Sequence, residues 1–301
     1  MCVCVCVFTA LKSSLFLNTF SWTVHVPVWT TEMTERDEFA YHEMLGHLPL
    51  FSHPNPRNVL IVGGGDGGVL REVCRHSYVE HITIIEIDPA VIAISRRFFA
   101  DSMGKCFDDE RLEIIYQDAA EFMKMADENA YDVIIADTSD PQGPAQSLFQ
   151  PAFYESMYKS LRHDGIVCAQ GECMWIHLDL ISEVLACCAD IFEHAEYATT
   201  MVPTYPCGQI GFVLARKGRS ESCRIPRRRP TFLADLRWYN PAIHRASFVL
   251  PQFVRRRLDA ALGIDGTVND LNGHDASFGA YDPDGDDADA SDCFLTRCTI
   301  S

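Results

Sequence analysis

Asn58-Val59-Leu60-Ile61-Val62-Gly63-Gly64-Gly65-Asp66-Gly67-Gly68-Val69-Leu70-Arg71-Glu72-Val73 runs from an unbroken apolar stretch into a glycine-rich loop, then into apolar positions at helical spacing. The stretch predicts a buried strand over Asn58 to Val62, a tight loop, and a helix through Val69, Leu70 and Val73. Gly63-x-Gly65-x-x-Gly68 also satisfies the dinucleotide fingerprint, a weak signal when it stands alone. The charge inside the loop points elsewhere. A carboxylate at Asp66 is unfavourable beside a pyrophosphate and favourable beside an ammonium or sulfonium, so a cationic nucleoside fits the loop better than a dinucleotide.

The same strand-then-helix alternation extends in both directions. Thr34 to Leu45 reads as a helix with Thr34 as N-cap, acids in its first turn, and Phe39, Met44 and Leu45 on an apolar face. Downstream, strands are predicted over His81 to Ile85, Leu112 to Tyr116, Val133 to Ala136 and Gly165 to Ala169. The intervening helices are Ala90 to Phe99, Ala119 to Met125, Ala152 to Leu161 and His177 to Ala189. Strands around Ala195 to Thr199 and Ile210 to Ala215, joined by a Pro/Gly loop, form an antiparallel pair at one edge. The fold class is therefore α/β, a doubly wound and mostly parallel sheet with an antiparallel edge. Further helices are expected at Leu233 to Tyr239 and Pro251 to Leu262. Residues 34–264 form the catalytic domain on this reading.

The two ends differ in composition. Residues 1–33 carry the dipeptide repeat Cys2-Val3-Cys4-Val5-Cys6-Val7, which a TG nucleotide tract yields on translation. They are expected not to be a native domain but an alternative or mispredicted start. They show neither a signal-peptide pattern nor an apolar run long enough to span a membrane. Residues 265–301 are rich in Asp, Gly, Ser and Ala and read as a disordered acidic tail.

Composition narrows the function. The 301 residues are 48% hydrophobic and 22% charged with a net charge of -17, which suits a sizeable core and a surface that repels nucleic acid and anionic membrane. Arg227-Arg228-Arg229 and Arg255-Arg256-Arg257 are too short to reverse that and read as solvated surface. The 13 cysteines contain no C-x-x-C pair and read as reduced thiols of an intracellular protein. His42, His47 and His53 lack zinc-site spacing and acidic or Cys partners, so no metal is expected. The chemistry concentrates at the predicted carboxyl ends of four strands, where Asp66, Glu86, Asp118, and Asp137 with Asp140 sit on successive loops. Alone, Asp137-Thr138-Ser139-Asp140 reads equally as a capped strand end or as a site for a cation or a proton. Three neighbouring acids favour the second. Glu86 sits where such folds bind both ribose hydroxyls, and Asp118 where a side chain reaches an adenine amino group. Gly63 and Gly65 let the backbone approach the nucleoside.

These motifs carry a resemblance. Val59 to Glu72 resembles the signature of the spermidine synthases, as do Thr34-Glu35-Arg36-Asp37-Glu38-Phe39 with Tyr41-His42-Glu43-Met44. Asp137-Thr138-Ser139-Asp140-Pro141 with Gly143-Pro144, and Gln170-Gly171-Glu172, match as well. Pro203-Thr204-Tyr205-Pro206 with Gly208, and Tyr239 to His244 with Phe248 to Pro251, complete the order from Thr34 to Leu258. The resemblance implies a Rossmann-like sheet of the S-adenosylmethionine-dependent methyltransferase type and a cytoplasmic homodimer. It implies aminopropyl transfer from decarboxylated S-adenosylmethionine to putrescine, giving spermidine and methylthioadenosine in polyamine biosynthesis.

Carried over by position, Asp137 is the base. Asp140, Tyr205 and Tyr41 hold the diamine, with Glu172 at its distal ammonium, while Asp66 and His42 hold the donor's aminopropyl ammonium. Glu86 takes the ribose and Asp118 the adenine. Ala119, where a Gly is common, and Pro144 line the adenine pocket. Without the resemblance, Tyr205 and Tyr41 read as packing residues, Glu35 and Glu43 as capping or surface acids, and Trp175 and Trp238 as core.

Residues 1–33 show none of the motifs of the small β-stranded domain that the family carries there, which helps close the site, supplies a donor-binding Gln and contributes to the dimer. Two alternatives stand beside the leading reading. One is a putrescine N-methyltransferase or other polyamine synthase. The other is an inactive truncated paralogue serving as a binding partner. Retention of Asp66 argues against methyl transfer from a donor that still bears its carboxylate.

Overall fold

The computed structural model describes residues 4–5, 33–138, 143–218, 221–229 and 231–264, with the side chains of residues 4–5 and 143–145 excluded. The acidic tail and, apart from Cys4, Val5 and Met33, the residues 1–33 lie outside the described residues, where neither proposal is tested. A two-residue antiparallel bridge joins β1 (Cys4–Val5) to β2 (Met33–Thr34). A seven-stranded sheet follows, built from β3 (Asn58–Gly63), β4 (His81–Glu86), β5 (Leu112–Tyr116), β6 (Tyr131–Asp137), β7 (Leu161–Gln170), β8 (His194–Met201) and β9 (Gln209–Arg216). Its order is β5-β4-β3-β6-β7-β9-β8, parallel from β5 to β7 and antiparallel at β7-β9 and β9-β8. The α/β architecture and the antiparallel edge are as the sequence pattern predicts.

The central strands are apolar throughout because both faces of the sheet are covered. Side chains alternate between two cores. Val59, Ile61, Ile84, Val133 and Ile135 face one, and Leu60, Val62, Ile85, Ile134 and Ala136 face the other. The first core is roofed by α1 (Glu38–Ser52) and α2 (Gly68–Cys74). The second is covered in part by α5 (Pro151–Ser160), α6 (Leu178–Ile191) and α8 (Gln252–Ala261). Between them in chain order come α3 (Pro89–Phe98) and α4 (Ala119–Met125), the former capped by Asp88.

Four local expectations are corrected. Thr34 does not cap α1. It lies in β2 and donates its hydroxyl to Asp37 at 2.5 Å, and the helix begins four residues later at Glu38. Nor is α1 amphipathic, because it packs on α2 and on β6 to β9 at once and is buried on nearly all sides. Leu233 to Tyr239 forms only a short 3-10 turn over Leu233–Asp235, since Glu43 takes up the backbone N–H groups of Arg237, Trp238 and Tyr239 at 2.7–2.8 Å. The helix comes later, as α7 (Pro241–Ala246), where the Asn240 side chain accepts from Ala242 and Ile243 and Pro241 occupies the first turn. Glu43 is therefore neither a cap nor a surface acid. Finally, Trp175 is 61% exposed and stacks on Phe253 instead of entering the core. Trp238 is half-buried against the first core, as expected.

Arg228 departs from the solvated-surface reading as well. It is partly buried, donates to the Leu50 carbonyl at 3.0 Å and lies over the Tyr78 ring.

Candidate active site

Chain direction places the site. The chain runs from β3 outward to β4 and β5, then crosses back to lay β6 against the other side of β3. In doubly wound sheets such a reversal, at the carboxyl ends of the strands, is where ligands bind. The register sets Gly63 opposite Asp137, and Gly64 N–H donates to the Asp137 carbonyl at 3.1 Å. The glycine loop and the acid at the end of β6 are thus one structure. Gly67 has φ +85, and a side chain there would collide with Phe107 and the Met103 carbonyl. A Cβ on Gly65 would sit 2.6 Å from Glu86 Oε2, so glycine keeps the backbone open beneath that carboxylate.

Around Asp137 the side chains converge from three elements. Tyr41 of α1 donates its hydroxyl to Asp137 Oδ1 at 2.6 Å. The Tyr41 ring meets that of Tyr205 edge-on, with centroids 5.7 Å apart. His42, one residue along α1, stands between two carboxylates, with Nδ1 2.7 Å from Glu38 Oε2 and Nε2 3.2 Å from Asp66 Oδ2. The other Asp66 oxygen accepts from Gly68 N–H at 2.7 Å.

Only an imidazolium donates from both nitrogens. Burial opposes that charge, but Asp66 and Glu38 outweigh it and raise the His42 pKa to about 10. Glu38 is in turn forked by Arg71 at 2.8 and 2.9 Å. His42, Asp66 and Asp137 bring ligand atoms within 4.8 Å of one another. A histidine protonated at both nitrogens has no lone pair for a metal, and the contacts hold His42 as a cation. The expectation that the histidines lack acidic partners is corrected for His42 and for His47, whose Nε2 lies 3.2 Å from Glu72. Asp66 and Glu72 come from other elements, which residue spacing along the chain does not reveal, whereas Glu38 lies one turn before His42 on the same helix.

Asp137 is the perturbed acid. Burial, then the nearby charge of Asp66, push its pKa from 3.8 up to about 7, against the opposing effects of His42 and the Tyr41 hydrogen bond. Glu86 is also raised by burial, although the Asp88 N–H donates to its Oε1 at 2.9 Å. A carboxylate that titrates near neutrality suits proton abstraction. Three buried or half-buried acids face one imidazolium, which leaves the site suited to a cation.

The remaining predicted residues fall around this centre. Asp118 caps α4, its Oδ1 accepting from Ala120 and Glu121 at 2.8 and 3.2 Å, and Ala119 is the first residue of that helix. Glu172 follows β7 with φ +61, and its carboxylate lies 2.9 Å from His177 Nδ1. Its backbone carbonyl accepts from the Tyr197 hydroxyl of β8 and from Gly211 N–H of β9. Asp140 and the Pro144 side chain lie outside the described residues. Sequence reading missed two contributors. The spacing of Glu38 four residues before His42 on one helix face was the available signal for the first. The second is Gln170, at the carboxyl end of β7. It is buried, and its Oε1 has no hydrogen-bond partner among the described residues.

Comparison with known proteins agrees with this geometry. A family model described as "Spermine/spermidine synthase domain" matches residues 38–224. The chain is 48% identical over 252 residues to a spermidine synthase of Dictyostelium discoideum, covering 84% of this chain and 86% of that protein. It is 45% identical over 241 residues to spermidine synthase 2 of Arabidopsis thaliana, covering 76% of this chain and 70% of that protein. Among solved structures, a spermidine synthase in complex with the transition-state analogue AdoDATO superposes with a TM-score of 0.72 at 38% identity, covering 76% of this chain and 78% of that one.

Proposed function

The chain belongs to the spermine/spermidine synthase family, and from that premise we infer that it transfers an aminopropyl group from decarboxylated S-adenosylmethionine to putrescine. The products are spermidine and 5′-methylthioadenosine. One observation carries the assignment of roles: a carboxylate with a pKa near 7 at the end of β6, on a residue whose backbone carbonyl accepts from the glycine loop, beside an Asp66–His42 pair.

A diamine at neutral pH is protonated and cannot attack until one nitrogen gives up its proton. Asp137 accepts it, while Tyr41 fixes one carboxylate oxygen and leaves the other for the amine. The freed nitrogen forms a bond to the carbon next to the sulfonium. The carbon–sulfur bond breaks, and its electron pair neutralises the sulfur. Little remains for the protein beyond alignment and charge complementarity. Asp66 holds the aminopropyl ammonium, with His42 balancing its charge. Tyr205, Asp140 and Gln170, whose Oε1 has no hydrogen-bond partner among the described residues, hold the diamine, and Glu172 its far end. Glu86, above Gly65, takes the ribose, and Asp118 the adenine through the oxygen not used in the α4 cap, with Gly63, Ala119 and Pro144 around it.

No described helix is long and apolar enough to cross a membrane. A cytoplasmic homodimer, as the resemblance implies, belongs to this reading. It is tested by cell fractionation and sedimentation velocity.

Incubation with putrescine and either decarboxylated or intact S-adenosylmethionine tests the whole. Spermidine with methylthioadenosine supports it. Methylated putrescine, or no product from folded protein that still binds donor, overturns it.

A further inference from the structure

Behind Asp66 the charged side chains alternate in sign. His42 stands between Asp66 and Glu38, with Glu38 Oε2 2.7 Å from its Nδ1. Arg71 forks Glu38 from the other side, Nη1 to Oε1 at 2.9 Å and Nη2 to Oε2 at 2.8 Å. Its Nε donates to Glu72 Oε1 at 2.6 Å, and the other Glu72 oxygen lies 2.8 Å from Arg75 Nε. Two helices build the row. Glu38 and His42 are one turn apart on α1, while Arg71 and Glu72 belong to α2. Gly68 begins α2, and a side chain there would collide with the His42 ring, so glycine lets the two helices meet at this point.

Glu38 is buried, and both of its oxygens are engaged by His42 and Arg71. It is a partner of His42, not of a ligand. An imidazolium beside Asp66 raises a difficulty for a cation site. The donor carries a sulfonium and a primary ammonium, and an uncompensated imidazolium would repel both where Asp66 should attract them. Burial opposes that charge as well. Glu38 answers both, because it meets the ring at the nitrogen that Asp66 does not use.

We propose, on the aminopropyl-transfer reading above, that Glu38 is a positioning residue that sets donor selectivity: as counter-ion to His42, it lets the ring hold Asp66 without repelling the donor's ammonium. Arg71 fixes Glu38 in that place. Without Glu38, His42 would draw in a carboxylate, the group that distinguishes intact S-adenosylmethionine from its decarboxylated form. Glu38 thus favours the right donor and disfavours the wrong one.

Calorimetric binding to the full chain at pH 7.5 tests this with three ligands. They are decarboxylated S-adenosylmethionine, intact S-adenosylmethionine, and methylthioadenosine, which has neither ammonium nor sulfonium. Glu38→Gln keeps the side chain's size and removes its charge. It should weaken the decarboxylated donor by about tenfold to a hundredfold, the effect of one uncompensated charge nearby. Methylthioadenosine should bind within about twofold of wild type, and intact S-adenosylmethionine as tightly as before or tighter. Adding His42→Gln to that variant removes the stranded cation and should restore part of the lost affinity, which a merely distorted site would not do. An unchanged ratio of the two donors, methylthioadenosine weakened in step with them, or a double variant weaker than the single one would overturn the proposal. If the variants unfold, nitrogen-15 spectra of the wild type decide. A His42 ring protonated at both nitrogens at pH 7.5 supports the counter-ion role, and a neutral ring overturns it. Folded wild-type protein that binds none of the three ligands would overturn the transferase reading itself.

Discussion

Replacing Tyr41 with Phe removes the hydroxyl that donates to Asp137 Oδ1 at 2.6 Å and leaves the ring in its packing against Tyr205 and Phe212. That hydrogen bond favours the ionised carboxylate, opposing the burial and the Asp66 charge that push Asp137 to about 7. A hydrogen bond to a charged group is worth about 1.5–3 kcal/mol, and 1.36 kcal/mol corresponds to one pKa unit. Losing it moves the titration of Asp137 to roughly 8–9. If Asp137 is the base, the ratio of variant to wild-type kcat/KM for putrescine should lie between about one tenth and one hundredth at pH 6. It should climb toward unity above about pH 9.5 as both carboxylates ionise. Taking the ratio cancels the titration of the amine itself. The assay is initial-rate spermidine formation across pH 6 to 10 at saturating donor, with thermal melts to confirm folding. A ratio that stays flat with pH would refute the reasoning and reduce Tyr41 to a packing residue.

Three other outcomes follow from the same geometry. Asp137→Asn should lower turnover by about 10²–10⁴-fold. It should also melt higher than wild type at pH 8 with little gain at pH 4, because a folded pKa raised from 3.8 to about 7 gives stability that is lost as pH rises through 7. Equal gains at both pH values would count against that account. His42 is raised from 6.5 to about 10, so its contribution is complete below 6.5 and lost as pH rises through 10. Urea unfolding between pH 6.5 and 10 should show a decline that His42→Gln flattens. Glu43→Ala strands three backbone N–H groups and should cost about 3–5 kcal/mol in urea unfolding. A loss under 1 kcal/mol would mean that water replaces the carboxylate.

Local periodicity determined most of this protein. Unbroken apolar runs at Val59–Val62 and Val133–Ala136 cannot sit anywhere but in a strand covered on both faces, and both lie buried at the sheet centre. Glycine runs and capping aspartates mark where chain direction must change, so the acids at the carboxyl ends of the strands were legible as a set. Where two signals competed locally, the reading slipped. Thr34 resembles a cap by type, yet the helix starts at Glu38. Leu233 to Tyr239 has helical spacing, but its amides are taken by Glu43 almost two hundred positions away.

Tertiary structure decided what acts on what. The acid pattern does not say that Tyr41 reaches Asp137 across 96 residues, or that burial beside Asp66 brings that carboxylate to near-neutral titration. Such contacts depend on strand order and on how helices lie across the sheet, and pKa values depend on the water excluded there. The glycine stretch from Gly63 to Gly68 belongs to both accounts. Its composition announces a loop that brings backbone close to a ligand. Only the pairing of Gly63 with Asp137 makes that loop half of a site.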